Sequence, residues 1–199
     1  MSKKLSLSPK IKIILTIFLL LFINNYLNES NNNIVNESNN YTEKEQKSYI
    51  LKIYQILFDI DKIFNKQEIE YYIDAGTLLG AVRHKGIIPW DDDADLCIFK
   101  EDEKKFLEQK KIFNKLGYNI VKYWAGYKIY YINGSKIQIE NSNWKWNNKK
   151  LDSERENIHY KFPFVDVCIV EKNNDKIIYQ NNMVRNIWGK CYHDLNDLY

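Results

Sequence analysis

The chain has 199 residues, 45% hydrophobic and 28% charged, with a formal net charge of +3. Lys3, Lys4, Lys10 and Lys12 precede the first acidic residue, and beyond them 25 basic side chains face 26 acidic ones. So balanced a body leaves room for one catalytic domain with its own core, and it lacks the basic face that nucleic-acid binding requires. The abundant Asn, Tyr, Ile and Lys are residues favoured by AT-rich codons, and we read them that way rather than as a sugar-stacking surface.

Residues 1–12 read as a basic cytoplasmic tail. Residues 13–23, IILTIFLLLFI, are apolar apart from Thr16. Eleven residues are short for a span of about 20, but flanking Lys10 and Lys12 can snorkel, and Tyr26 and Leu27 extend the stretch. No small-residue cleavage site follows. We therefore expect an uncleaved signal anchor over residues 13–27, single-pass type II, in a secretory-pathway membrane of the Golgi or endoplasmic reticulum. An Asn-rich stem over 28–42 and a luminal catalytic domain over 43–199 would follow. Sequons at Asn28, Asn36, Asn40 and Asn133 agree with a luminal domain.

From Glu43 to Lys66 apolar residues recur at three and four (Ile50, Ile53, Tyr54, Leu57, Ile60 or Asp61, Phe64), which predicts an amphipathic helix. Residues 70–75, EYYIDA, read as a buried strand. Gly76-Thr77 ends it at a short helix, TLLGAVRHK, with Thr77 as its cap. Pro89 forces a break, Trp90 is expected to pack under the loop, and Asp93 to Phe99 alternates as a strand. Glu101 to Leu116 returns to helical spacing and Gly117 closes it. Tyr118–Tyr123, Tyr127–Ile132, Lys136–Glu140 and Phe162–Val170 are further strands, rich in Tyr, Ile and Val. The order predicts an α+β, mixed α/β fold in which helices pack on a mixed sheet. Cys97, Cys168 and Cys191 fit neither a disulfide framework nor a zinc-ligand spacing, and are expected as buried thiols.

The chemistry concentrates between Tyr72 and Phe99. Residues two apart on a strand share a face, so Asp93 and Asp95 aim their carboxylates together, Asp91 can join them, and Asp92 points elsewhere. Adjacent carboxylates repel unless a cation lies between them, and a hard divalent ion takes oxygen ligands of this kind. Asp166 stands alone in the apolar run FPFVDVCIV, where a carboxylate is costly unless paired, hydrogen-bonded or metal-bound. Should its strand lie beside that of Asp93, it completes a triad for one or two metals. Gly76 and Thr77 stand where a helix N-terminus attracts phosphate, and Arg83, His84 and Lys85 can neutralise a diphosphate. An EF-hand is excluded because Leu96 occupies the obligatory glycine position. A P-loop is excluded because Lys85-Gly86 is not a Gly-Lys-Ser/Thr ending.

The run GTLLGAVRHKGIIPWDDDADL, with the preceding YYIDA and the later PFVDV, resembles the signature of the LicD, fukutin and fukutin-related protein family. The resemblance implies a nucleotidyltransferase-like fold. It also implies transfer of a phospho-alcohol, such as phosphocholine or ribitol phosphate, from a CDP-linked donor to a hydroxyl of a glycan or glycoprotein, releasing CMP. By position Asp93 and Asp95 would be the metal-binding pair for Mg²⁺ or Mn²⁺, with Asp91 just before them. Asp166 would be the third carboxylate, a metal ligand or general base, and Gly76 and Thr77 would hold donor phosphate. The chain ends at GKCYHDLNDLY, where members of this family usually continue, and it lacks the paired cysteines that hold zinc in some relatives. The alternative is a non-catalytic, regulatory or chaperone-like relative supporting a partner transferase. The short C-terminus favours that alternative, and the intact carboxylate set opposes it.

Overall fold

The computed structural model describes residues 43–136, 160–174, 176–187 and 193–194. The expected anchor, stem, Lys136–Glu140 strand beyond Lys136, and Cys191 lie outside the described residues. Among the described residues no helix is long and apolar enough to cross a membrane.

The three-and-four spacing yields helix α1, Glu43–Lys66, with the bounds expected. Its inner face is wider than the predicted stripe, because Ile56 and Ile63 are buried along with Ile53, Ile60 and Phe64. Asp61, the polar option in that pattern, stays outside and accepts hydrogen bonds from Tyr71 OH and Asn65 Nδ2 at 2.5 and 2.7 Å. Strand β1 is short, Tyr71–Ile73, and helix α2, Ala75–Arg83, follows at once. The cap position of α2 is taken by Asp74 rather than Thr77, which sits a turn inside the helix and is buried.

Strand β2, Asp95–Phe99, begins two residues later than the alternation predicts. The helical stretch after it breaks into a 3-10 turn, Lys100–Asp102, then α3, Glu103–Glu108, and α4, Lys110–Lys115. The joint falls at Gln109, whose N–H bonds Phe106 O three residues back and whose side-chain amide donates to Lys105 O. Both halves keep a fully buried aromatic, Phe106 and Phe113. Gly117 then takes φ +87°, a value that favours glycine, and the chain enters β3, Tyr118–Tyr123. Strand β4 runs Gly126–Lys136, β5 Lys161–Asn173 and β6 Lys176–Tyr179; α5, Asn182–Ile187, and the two-residue β7, His193–Asp194, complete the described elements.

The sheet order is β1-β2-β5-β4-β3, with β6 added along β5 and β7 along β6. Among the described strands only β2 and β5 are parallel, and the other pairings are antiparallel. The sheet is therefore mixed, with its parallel pair at the centre. Leu96, Ile98, Ile129, Val165 and Val167 point to one face and form the main core with Ile53, Ile56, Ile60 and Phe64 of α1. Each such side chain contributes about 1.5–3 kcal/mol on burial. The alternate residues Cys97, Phe99, Cys168 and Val170 point to the other face, where Tyr72, Ile177, Tyr179 and Val184 form a second, smaller cluster. Cys97 and Cys168 are buried free thiols, as expected.

Candidate active site

Asp95 of β2 lies opposite Asp166 of β5, and Asp166 lies opposite Lys128 of β4. Because Leu96, Val167 and Ile129 belong to the core under α1, these three neighbours project from the opposite face. A row of charge, negative, negative and positive, thus crosses three adjacent strands. Asp93 approaches the row from the extended segment ahead of β2. One oxygen from each of Asp93, Asp95 and Asp166 lies within 4.8 Å of the others. Asp91, Asp92 and Asp93 form a second such group, in which Asp92 is exposed. Asp93 belongs to both groups, while Asp91 stands outside the triad.

The triad is crowded and poorly hydrated. Burial raises the Asp93 carboxyl, and the charges of Asp95, Asp166 and Asp92 raise it further, to about 8. Burial also raises Asp95, helped by Asp166, Asp91 and Asp74, to about 7. Asp166 is pushed up by burial as well, but Lys128 and Tyr123 oppose the shift. Without a cation, then, protons stay on this centre into the neutral range. Like-charged oxygens converging from two strands and a loop are what a hard divalent ion takes as ligands, so the residues fit Mg²⁺ or Mn²⁺.

Lys128 is 4% exposed and places its Nζ 2.5 Å from Asp166 Oδ1. Tyr123 OH donates to the other oxygen, Oδ2, at 2.9 Å. The same ammonium sits 3.6 Å from the ring centroid of Phe164, 4.5 Å from that of Tyr123 and 4.8 Å from that of Tyr160. Three aromatic faces and a carboxylate together compensate the desolvation of the lysine. Sequence reasoning missed this residue, although a lysine inside the Tyr- and Ile-rich strand YKIYYI was the available signal.

The backbone of Asp95 is fixed from two directions. Its N–H donates to Thr77 Oγ1 at 2.7 Å, and its carbonyl accepts from Asp74 N at 3.1 Å. Thr77, expected to hold donor phosphate, also braces the strand that carries the carboxylate, its Oγ1 accepting and its O–H remaining a donor. Asp74 is 5% exposed and receives the Tyr179 hydroxyl and, at 3.3 Å, the Cys97 thiol. Its burial beside the triad was also missed, since its position inside EYYIDA marks it only as the end of a strand. Ala75 next takes φ +46°, a left-handed conformation that a non-glycine residue adopts at a cost. At Gly76 an added Cβ would meet Asp91 Oδ2 at 2.8 Å, so the missing side chain leaves Asp91 its place against the start of α2.

The basic triplet ends α2 and turns outward. Arg83 and Lys85 are exposed, Arg83 Nε donates to His84 Nδ1 at 3.4 Å, and Lys85 Nζ donates to Val82 O at 3.1 Å. Trp90, expected under the loop, is 47% exposed and stands edge-on to His84 with ring centroids 5.5 Å apart. The loop is pinned instead by Ile87 N–H, which donates to Tyr54 OH of α1 at 2.7 Å, and by close packing of Gly80 on Gly86. The result places the triplet on the rim of α2.

A mixed sheet whose central parallel pair carries converging carboxylates, one of them braced by a buried lysine, defines a class: an α/β domain with an acidic centre suited to a divalent cation. The family model described as LicD/FKTN/FKRP, nucleotidyltransferase domain, matches residues 68–193, and the chain belongs to that family. It is 34% identical over 149 residues to an uncharacterised protein of Rickettsia prowazekii, covering 75% of this chain and 44% of that one. It is 44% identical over 43 residues to the lipopolysaccharide cholinephosphotransferase LicD of Haemophilus influenzae, covering 22% and 16%. Over 34 residues it is 56% identical to the ribitol 5-phosphate transferase FKRP of Homo sapiens, covering 17% and 7%. The chain thus spans less than half the length of these relatives.

Proposed function

We propose that this domain transfers a phospho-alcohol, of the phosphocholine or ribitol-phosphate kind, from a CDP-linked donor to a glycan hydroxyl. The reading rests on the register of β2 and β5, which draws the oxygens of Asp93, Asp95 and Asp166 to within 4.8 Å of one another. The names of the two characterised relatives, a cholinephosphotransferase and a ribitol 5-phosphate transferase, supply the chemical class. Bound between Asp93 and Asp95, Mg²⁺ or Mn²⁺ would supply Lewis-acid stabilisation of negative charge on the diphosphate.

The protein's own groups do the positioning. Thr77 and Asp74 hold the Asp95 backbone, so its carboxylate is set before any ligand arrives. The acceptor hydroxyl attacks the phosphorus bearing the alcohol, the bond from that phosphorus to the CMP oxygen breaks, and CMP departs. Asp166, its rotation fixed by Lys128 and Tyr123, would take the hydroxyl proton. The N-terminus of α2 at Gly76 offers backbone N–H groups to donor phosphate, and Arg83 on the rim offers charge to the leaving CMP.

A panel of CDP-alcohols with a pool of glycan acceptors, read as CMP release, tests the proposal. The native chain should turn over one donor class and Asp95→Ala should turn over none. A flat panel with folded native protein, or full activity in Asp95→Ala, refutes it.

A further inference from the structure

We infer that Lys128 stands in for a second metal ion, so that the centre takes one divalent cation, at Asp93 and Asp95, while Asp166 is held by the ammonium. The inference rests on the metal-binding reading above and specifies its stoichiometry.

Three observations converge on it. Both oxygens of Asp166 are already engaged, Oδ1 by Lys128 Nζ at 2.5 Å and Oδ2 by Tyr123 OH at 2.9 Å. The ammonium has no easy retreat: Lys128 is 4% exposed, and Phe164, Tyr123 and Tyr160 surround its Nζ at 3.6 to 4.8 Å. A divalent ion bridging Asp166 would have to approach this charge at close range in a poorly hydrated site, where like charges repel strongly. Charge counting agrees. Three carboxylates against one ammonium leave two negative charges, which a single divalent cation cancels.

The arrangement also gives Lys128 a positioning role. Directly opposite Asp166 in the β4–β5 ladder, it fixes that carboxylate's orientation without filling its remaining lone pairs. Asp166 thus remains open to a proton from the acceptor, whereas a carboxylate bridging two metals would not be.

The test counts Mn²⁺ ions on the full chain by calorimetry, with electron paramagnetic resonance reporting whether bound ions are coupled at short range. It is run on the native protein and on Asp92→Asn, which removes the exposed member of the neighbouring Asp91–Asp92–Asp93 group. One uncoupled ion per chain is expected in both. Lys128→Met should take up a second, coupled ion, or bind the first at least tenfold more tightly, whereas Lys128→Arg should keep one. Two coupled ions in Asp92→Asn, or Lys128→Met matching the native count and affinity, overturns the inference and leaves the metal site standing. No Mn²⁺ binding to folded native protein removes the metal reading itself. Circular dichroism establishes folding of each variant, and if Lys128→Met does not fold, the Asp92→Asn count and Lys128→Arg decide.

Discussion

Replacing Asp95 with Asn should stabilise the metal-free protein, the opposite of what most substitutions of a partly buried residue do. The folded-state pKa of Asp95 is raised from the ordinary 3.8 to about 7, chiefly by burial and then by Asp166. Between those values the native state holds a proton that the unfolded chain has released, so stability falls as pH rises from about 4 to 7 and stays low above it. At about 1.4 kcal/mol per pH unit, with sharing between coupled neighbours discounted, ionised Asp95 costs the fold about 2–4 kcal/mol at pH 8. Asn carries no charge, and the supports from Thr77 and Asp74 reach only the backbone of residue 95. Thermal unfolding in chelator at pH 8 should therefore give Asp95→Asn a Tm higher by at least about 4 °C, at roughly 2–4 °C per kcal/mol. That gap should narrow below pH 7 and close near pH 4. Saturating Mn²⁺ should raise the native Tm, since a ligand at a hundred times its Kd adds about 2.7 kcal/mol, and should leave the variant nearly unmoved. A variant less stable than native in chelator at pH 8, or one that keeps the full Mn²⁺ shift, would refute the electrostatic account.

Thr77→Val removes the acceptor for Asp95 N–H in nearly the same volume, so urea unfolding should show a loss of about 1–3 kcal/mol, and donor turnover should fall with it. Gly80→Ala places a Cβ 2.5 Å from Gly86 O, a backbone contact that cannot yield cheaply; we expect a loss of about 1–3 kcal/mol and more rapid proteolysis at the 84–90 loop. Tyr179→Phe withdraws the hydroxyl from buried Asp74 and should cost about 1.5–3 kcal/mol by chemical denaturation, with Mn²⁺ binding less affected than stability.

The legible parts of the fold were those with one strong period. Helix α1 could be bounded to the residue because a wide apolar stripe sits in a sequence otherwise polar enough to define it. Strands β2 and β5 stood out because central parallel strands, buried on both faces, read as apolar runs in which an aspartate is conspicuous. The helix after β2 was read as continuous because nothing in Glu101–Leu116 breaks helix propensity; Phe106 and Phe113, seven apart, would share one face of an unbroken helix, so the joint at Gln109, marked by its N–H bond to Phe106 O, leaves no trace in the pattern. The site divided in the same way. Asp93, Asp95 and Asp166 announce themselves by the expense of burying them. Lys128 and Asp74 do not, because the carboxylate that pairs the one and the tyrosine hydroxyl that meets the other come from distant strands, and no local pattern encodes a pairing across 38 or 105 positions.

The charged row across β2, β5 and β4 has a consequence for how the protein can be assayed. Asp95 and Asp166 are separated by about seventy residues and meet only when the parallel pair closes, and pairings of that range are typically late and slow to form. A chain that has collapsed without closing that pair keeps Asp93 and Asp95 side by side but has neither Asp166 nor the Lys128 ammonium beside them. A Mn²⁺ ion on such a chain meets a different charge balance, so the native affinity, rather than the number of ions taken up, should mark completed sheets and report the native fraction of a preparation before a substrate is known.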